Sequence, residues 1–403
     1  MVYTFTFKML KLLHTLDLNE IPDNKFIKEL DFFGVQALEY YSSRIDIMDV
    51  DVIYQLLSLY NNRSRGEKND LIKSLNRKIP LLFNLEYFDD EPFEVSETSN
   101  FFKGVLKSRV YVSIKVLRKN KEEILKNISS LERLESVSNY VPGIDISKNL
   151  KSFTDFCNNS MSIEYDLKLE NENLLKLKEK KELFLTKYPE LEHLKFSKSF
   201  PYLSEPDVWV SEFIENGRPL SIALRKNLLK KDAALNIIRT RLIYALEIGI
   251  FTSNLSDKDI VVEDDDNFYF RNCYRMIEIT DIKRKILLEF LEAILDGDSE
   301  KSIIFLTKLS ETTLSEEKFI IFKEDATIFL NENFKNHKTV SIVKLMCNLL
   351  KIALDNSLVF EKYIYDFFKE LMFIQLIVFN SGYKIEFFSI LNNFIKSIKS
   401  TDA

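Results

Sequence analysis

Lys115 sits in the run Val110–Leu117 (VYVSIKVL), where Val110, Val112, Ile114 and Val116 alternate with other residues. As a strand, this run buries four aliphatic side chains on one face and leaves Lys115 on the other, beside Ser113 and Tyr111. A lysine so placed is held over a cleft, where its ammonium can meet phosphate oxygens or a carboxylate. The candidate carboxylate is Glu170, in a charged tract that also carries Glu164, Asp166 and Asn173. The second stretch with chemical potential is Phe251–Tyr274 (FTSNLSDKDIVVEDDDNFYFRNCY). Its acids Asp257, Asp259 and Asp264–Asp266 offer oxygens to a divalent ion, but a hard cation needs several oxygens converging on one point. Adjacent turn residues converge poorly, so the expectation is that they cap and solvate a turn and that no metal is bound.

The elements that must position these groups follow from hydrophobic spacing. The opening MVYTFTFKMLKLLHTLDL is read as an amphipathic helix docked on the body through Phe7, Leu10, Leu13 and Leu16, and not as a signal peptide. Helices follow at Asp31–Tyr41, Val50–Tyr60 and Leu71–Leu75, with a break at Asn61–Asn69. Phe101–Leu106 and Val110–Leu117 read as a hairpin. Lys119–Glu135 is helical, Val141–Ile146 is a linker, and Phe153–Lys187 is a long helical tract. Asp207–Phe213 alternates as a strand, and Asn216–Leu220 (NGRPL) is a turn with Pro219 placed to start a helix. Lys230–Ile250 is a buried helix ended by Gly249, and Ile260–Val262 with Phe268–Phe270 forms a small hairpin. The remainder is helical, and Leu371–Phe379 is too short to span a membrane, so it reads as a buried core segment.

At 403 residues and 46% apolar, the chain can bury a sizeable core. A net charge of −6 gives no overall basic field, so a nucleic-acid partner is not expected, and the basic runs Lys176–Lys187 and Arg225–Lys231 read as solvated helix faces. Cys157, Cys273 and Cys347 lack metal-ligand spacing, and His14, His193 and His337 are scattered. Neither a zinc site nor a histidine-based triad is supported, and a reducing compartment such as the cytoplasm is expected.

The order of helices, a strand lobe with a lysine, a helical acid, a hinge and a helical lobe is that of a protein-kinase-like fold. From about Asp31 to Leu391 the residues resemble the UbiB-type atypical kinases associated with coenzyme Q and isoprenoid-lipid metabolism. Ser42-Ser43-Arg44-Ile45-Asp46 is similar to the family's Ser-x-Arg-x-Asp element, and Phe88-Asp89-Asp90-Glu91-Pro92 to its Phe-Asp-x-x-Pro lead-in. Val112-Ser113-Ile114-Lys115 resembles the Val-Ala-Val-Lys strand. The run from Glu164 to Asn173 (EYDLKLENEN) resembles the Glu-Leu-Asp-x-x-x-Glu-Ala-x-Asn helix, with Glu164, Asp166, Glu170 and Asn173 in place. The resemblance implies an α+β, two-lobed protein-kinase-like fold with a small strand lobe, a larger helical lobe and an N-terminal helical extension. The implied segments are 1–84, 85–215 and 216–403.

Departures from the family cluster in its chemistry. Gln36, Leu38 and Glu39 stand where its lysine-glycine-glutamine motif is expected, and the alanine-rich nucleotide loop becomes Glu94-Val95-Ser96-Glu97-Thr98-Ser99, whose two carboxylates would face a phosphate. In the catalytic loop Thr252 replaces the histidine, and Asn254, which cannot accept a proton as a base, replaces the aspartate. Asp259 falls where asparagine is expected. The metal-binding Asp-Phe-Gly falls on Asn272-Cys273-Tyr274, or on Arg271 with a one-residue shift. Phosphoryl transfer rests on positioning and metal ions, so these losses point to a catalytically inactive pseudokinase acting as a scaffold, regulator or complex subunit, with a possible link to isoprenoid or quinone lipids. On this reading Lys115, Glu170 and Asp259 are nucleotide-binding remnants, while Arg44, Asp46, Glu164 and Asp166 are remnants of the extension and its helix. Lys115 and Glu170 form a structural ion pair, and Glu164 and Asp166 either keep a structural role or are plain solvated residues. No cofactor is expected. The partner is a protein, with a lipid or a peripheral membrane surface left open. The alternative is an atypical kinase or ATPase that still binds ATP and Mg2+ through Lys115 and Asp259.

Overall fold

The computed structural model describes residues 2–61, 79–118, 120–138, 148–264, 266–334 and 341–402. The expected helix at Leu71–Leu75, the linker at Val141–Ile146 and His337 lie outside them. The chain opens with α1 (Val2–Asp17), α2 (Asn24–Glu29), α3 (Phe32–Ser42) and α4 (Val50–Asn61). Helix α1 docks on the body as expected, but through Met9, Leu12, Leu13 and Leu16, while Phe7 faces outward. A strict step of three residues drifts around a helix, so Phe7 and Leu16 lie about 180° apart, whereas the 9, 12, 13, 16 set stays on one stripe.

The strand lobe comprises α5 (Ile79–Asn84), β1 (Leu85–Phe88), β2 (Glu94–Val95), β3 (Ser99–Leu106) and β4 (Tyr111–Leu117). Strand β6 (Val208–Glu212) joins it from later in the chain, giving an antiparallel sheet in the order β1-β3-β4-β6 with β2 beside β3. The expected hairpin is β3–β4. Val112, Ile114 and Val116 pack with Phe102, Val208 and Val210 in a small core of their own. The opposite face of the sheet, which carries Lys115, is left for the cleft.

Helices α6 (Lys121–Ser138), α7 (Lys148–Glu164) and α8 (Leu167–Phe184) follow β4. The expected single tract over Phe153–Lys187 is therefore two helices. The break has a local cause: the Asp166 carboxylate accepts from the backbone N–H of Lys168 at 3.1 Å and of Leu169 at 2.9 Å, which starts α8 afresh. Asp166 is a helix cap, not a free surface acid.

Beyond β5 (Leu194–Lys195) and β6, the chain crosses a hinge to β7 (Arg218–Pro219), α9 (Leu220–Arg225) and α10 (Lys231–Leu242), which runs on into a π-helical turn at Ile243–Ile248. At Gly217 a Cβ would come within 2.5 Å of the Ile214 and Val261 side chains, so the hinge needs glycine to pass this close. The turn ends at Gly249 in the left-handed region at φ 75. Then come β8 (Ile250–Thr252), β9 (Ile260–Val262), β10 (Phe268–Phe270) and β11 (Met276–Glu278), with β9–β10 the expected hairpin and β8 paired to β11. The helices α11 (Asp281–Asp296), α12 (Ser299–Leu309), α13 (Glu316–Phe334), α14 (Ile342–Asp355), α15 (Lys362–Asn380) and α16 (Phe387–Asp402) close the chain.

Every residue of α3 is buried. The N-terminal helices, α6–α8 and the C-terminal helices share one continuous apolar core, while the strand lobe keeps its own. Among the described residues no helix is long and apolar enough to cross a membrane. Residues Leu371–Val378 of α15 are core, as expected, and Phe379 is exposed.

Candidate functional site

Sheet register builds the roof of the cleft. Glu94 is paired with Phe101, Phe101 with Lys115, and Lys115 with Trp209, across β2, β3, β4 and β6. Directly paired residues share a face, so the four side chains form one row. They line a cavity of about 760 Å³ whose other walls come from Glu170 on α8, Phe213 and Gly217 at the hinge, and Val261, Phe270 and Asn272 below. Lys115 Nζ donates to Glu170 Oε2 at 2.5 Å and to Asn272 Oδ1 at 2.9 Å. The strand lysine and the helix acid read from the sequence do meet, with both side chains close to 10% exposed.

Asn272 decides what this constellation can do. It has φ 55, and its Nδ2 donates to Asp259 Oδ1 at 2.7 Å. The amide faces this way because the Lys115 ammonium has donors and no acceptor, so it must meet the amide oxygen. An aspartate at this position would set two carboxylates against each other and need a cation or a proton between them. Asparagine removes that need. Asp259 also accepts from Ser256 Oγ at 2.5 Å and from Ser256 N at 3.2 Å. Asn254 serves the backbone: its Nδ2 donates to the Asn272 carbonyl at 2.7 Å, and its Oδ1 accepts from Arg275 N at 3.2 Å. Thr252 is buried in β8 opposite Met276. The position facing Lys115 belongs to Asn272, and Arg271 turns instead to Glu94 at 3.0 Å.

Two expectations about acids are corrected here. Glu94 and Glu97 do not both face a phosphate. Glu94 lines the cleft already paired with Arg271, while Glu97 lies past β2, 7% exposed and away from the cavity lining. Asp257 and Asp259 do not solvate a turn, being 2% and 3% exposed. Asn61 of α4 reaches in to hold Asp257, donating to its Oδ2 at 2.9 Å and accepting from its N–H at 3.2 Å. Burial, opposed by Arg241 and reinforced by Asp259, pushes the Asp257 carboxyl up to about 7. On the surface, Asp264 pairs with Arg218 and Asp266 with Lys230. Among the described residues no cluster of three or more metal-type side chains forms.

A strand-lobe lysine tied to a helical glutamate above a loop that enters a helical lobe is a kinase-like arrangement, and the profile of the ABC1 atypical kinase-like domain matches residues 63–305, more than half of the chain. The chain belongs to the ABC1 atypical kinase-like family. Membership agrees with the UbiB-type resemblance and with the α+β kinase-like fold. No curated protein matches the chain. Among solved structures it is similar to a Mycobacterium tuberculosis protein described as the Rv3197–erythromycin complex, at 14% identity and TM-score 0.47, covering 76% of this chain and 80% of that one.

This ABC1-family chain also holds a buried charge cluster that joins Gln36, Glu39 and Glu164, three motif positions singled out in the sequence, to Arg275, which was not. Arg275 Nη1 donates to Glu39 Oε1 at 2.8 Å, its Nη2 reaches Gln36 Oε1 at 3.3 Å, and Glu164 Oε1 lies 3.7 Å away. Gln36 Nε2 donates to Glu164 Oε1 at 2.8 Å, so Glu164 is a buried structural residue, not a solvated one. Lys369 of α15 approaches Glu39 at 3.8 Å, and Asp366 lies beside it. Burial, with Glu39 adding repulsion and Arg275 opposing, pushes the Glu164 carboxyl up to about 8. Burial also lowers the Lys369 ammonium. Three buried carboxyl groups, those of Glu39, Glu164 and Asp366, here face two buried basic side chains, Arg275 and Lys369. Arg44 and Asp46 stand apart as a local bidentate pair at 2.8 and 2.6 Å, stacked on Tyr40 and remote from the cleft lining. A further pair the sequence did not flag is Arg241, whose Nε and Nη2 each donate to Glu370 at 2.6 Å while Nη2 also holds the Leu255 carbonyl of the loop.

Proposed function

We propose that the protein is a pseudokinase of the ABC1 family, keeping the kinase-like frame as a scaffold or regulatory subunit and transferring no phosphate. The carrying observation is Asn272, which joins Lys115 to Asp259 as a neutral relay where a metal-binding carboxylate is expected. Asn254 supports the same reading, since both ends of its amide are committed to holding the loop backbone. Asn254 and Asn272 offer neither a base nor a metal carboxylate at the two positions where the resemblance expects them, which supports the loss of phosphoryl transfer. The partner on this reading is a protein, and an association with isoprenoid or quinone lipid metabolism rests on the family resemblance alone. Thermal shift with ATP and Mg2+ tests it. The native chain should show no metal-dependent stabilisation by nucleotide, whereas Asn272→Asp, which places a second carboxylate beside Asp259, should gain one of a few degrees. Mg2+-dependent stabilisation of the native chain, together with γ-phosphate release, would refute the proposal.

A further inference from the structure

The outward face of α13 combines two features that a solvated helix surface does not need. The helix seats Phe322, Ala326, Leu330 and Phe334 in the core. At about 100° per residue, Ile321 and Ile328 then stand on the opposite side, two turns apart on one line. They are 49% and 61% exposed, and Ile320, 51% exposed, widens the apolar strip at one edge. Single exposed aliphatic residues are ordinary. Among the described residues, however, no other helix exposes more than two large apolar side chains. Isoleucine is also a weaker helix former than the lysine, glutamate or leucine that could hold the same positions, so helix formation does not account for these three.

The strip is flanked by acids on both sides. Glu317 and Glu324 stand on one flank and Asp325 and Glu332 on the other, all within about 50° of the Ile321–Ile328 line. Asp325 accepts from Asn356 Nδ2 at 3.2 Å, a neutral donor that leaves its charge in place, and Glu317 and Glu324 make no ion pair among the described residues. The two lysines of the helix leave this charge standing: Lys323 turns to Glu300 of α12 at 3.3 Å, and Lys318 stands at the edge away from Ile320. A lipid surface with anionic headgroups, or a nucleic acid, would be repelled by these carboxylates. A helix with one aliphatic stripe and Lys or Arg on both flanks fits, since its stripe covers the isoleucines while its cations meet the acids.

We propose that the outward face of α13 docks a basic amphipathic helix of a partner protein, with aliphatic side chains against Ile321 and Ile328 and Lys or Arg side chains on the carboxylates of both flanks. The proposal rests on the scaffold reading, to whose protein partner it gives a chemistry, and it uses no group of the cleft. Ile321 and Ile328 lie about 10.5 Å apart along the helix axis, so the partner repeats its aliphatic residues at the same interval of two turns.

The probe is a fluorescein-labelled synthetic peptide of ~18 residues, long enough to form a helix on a surface, with leucines in one stripe and lysines on both flanks. Its anisotropy is followed on titration with the full chain, beside a peptide of the same composition in scrambled order and one with glutamate at every lysine. The basic helix should bind saturably and more weakly as salt rises, and both control peptides should bind at least ~10-fold more weakly. Ile321→Ser combined with Ile328→Ser should weaken the basic helix ~10-fold or more, as should Glu324→Lys combined with Asp325→Lys. All four positions are exposed, and thermal melts check that both paired variants keep the native fold. The proposal is overturned by a basic helix that does not bind, by a control peptide that binds as tightly, or by a paired variant that keeps the native affinity. Phosphatidylserine vesicles that bind the native chain but not the isoleucine variant would make the face a membrane surface. A dimer in sedimentation that this variant loses would make it a contact between copies, and either result also overturns the proposal. Its failure leaves the pseudokinase reading of the cleft standing, whereas phosphate transfer from Mg2+–ATP overturns that reading and leaves the binding of the basic helix to be measured as before.

Discussion

Replacing Glu164 by glutamine should change how stability depends on pH. The residue is 7% exposed and meets Gln36 and Glu39 from α3 and Arg275 from the chain before β11, with Cys157 and Ser160 on its own helix and Glu97 nearby. Its carboxyl is raised from an ordinary value of 4.5 to about 8. A group raised on folding contributes stability below its unfolded value and loses it as pH climbs through the folded value, so Glu164 should weaken the fold progressively between pH 4.5 and 8. At ~1.4 kcal/mol per pH unit, the gap is worth ~5 kcal/mol in full, of which ~4 kcal/mol falls between pH 5 and pH 8. Glutamine keeps the acceptor for Gln36 Nε2 and cannot ionise. Urea unfolding of native protein and Glu164→Gln, followed by Trp209 fluorescence and far-UV circular dichroism at pH 5, 6, 7 and 8, gives the difference at each pH and cancels the slope that Asp257 adds to both. The difference should move in favour of the variant by several kcal/mol as pH rises. Parallel curves would refute the reasoning, since they would mean that Glu164 stays ionised throughout as an ordinary partner of Arg275.

Two further outcomes follow from other buried groups. Lys115→Ala and Glu170→Ala should each destabilise the strand lobe, and the double variant should lose less than their sum, with a coupling of ~1–3 kcal/mol in a denaturation cycle; additive losses would show that the 2.5 Å contact is not made. Glu370→Ala strands Arg241 in the core and should cost ~3–5 kcal/mol, while the apolar pair Arg241→Met with Glu370→Leu should recover most of that loss; an unstable double variant would refute the charge-stranding argument.

The parts legible in the sequence are those with a local period. The alternation in Val110–Leu117 fixed which face Lys115 takes, and the hairpin β9–β10 and the stop at Gly249 were readable from turn chemistry. The Lys115–Glu170 contact was reachable because one strand and one helix suffice to make it. The Glu94–Arg271 bridge, spanning 177 residues, and the Arg275–Glu39 pair, spanning 236, leave no periodic trace. Asp257 and Asp259 were misjudged for the same reason. Their neighbours in sequence are polar, but α4 arrives from 196 residues away with Asn61 to cover them. The cap at Asp166 was legible in principle, being an aspartate ahead of a new apolar run.

The contacts of α4 also set an order of events during synthesis. Tyr54 bonds Gln375, Asp49 pairs with Lys351, and Asp51 pairs with Lys344, at separations of 321, 302 and 293 residues. At ~5–20 residues per second, a ribosome takes roughly 15–60 s to make the partners that α4 waits for. Through that interval Ile53, Leu56 and Leu57, all fully buried in the finished protein, have no C-terminal helices to cover them. The apolar face that α4 turns toward those helices therefore stays uncovered until they emerge, and α4 reaches its final packing only after Gln375 has been made.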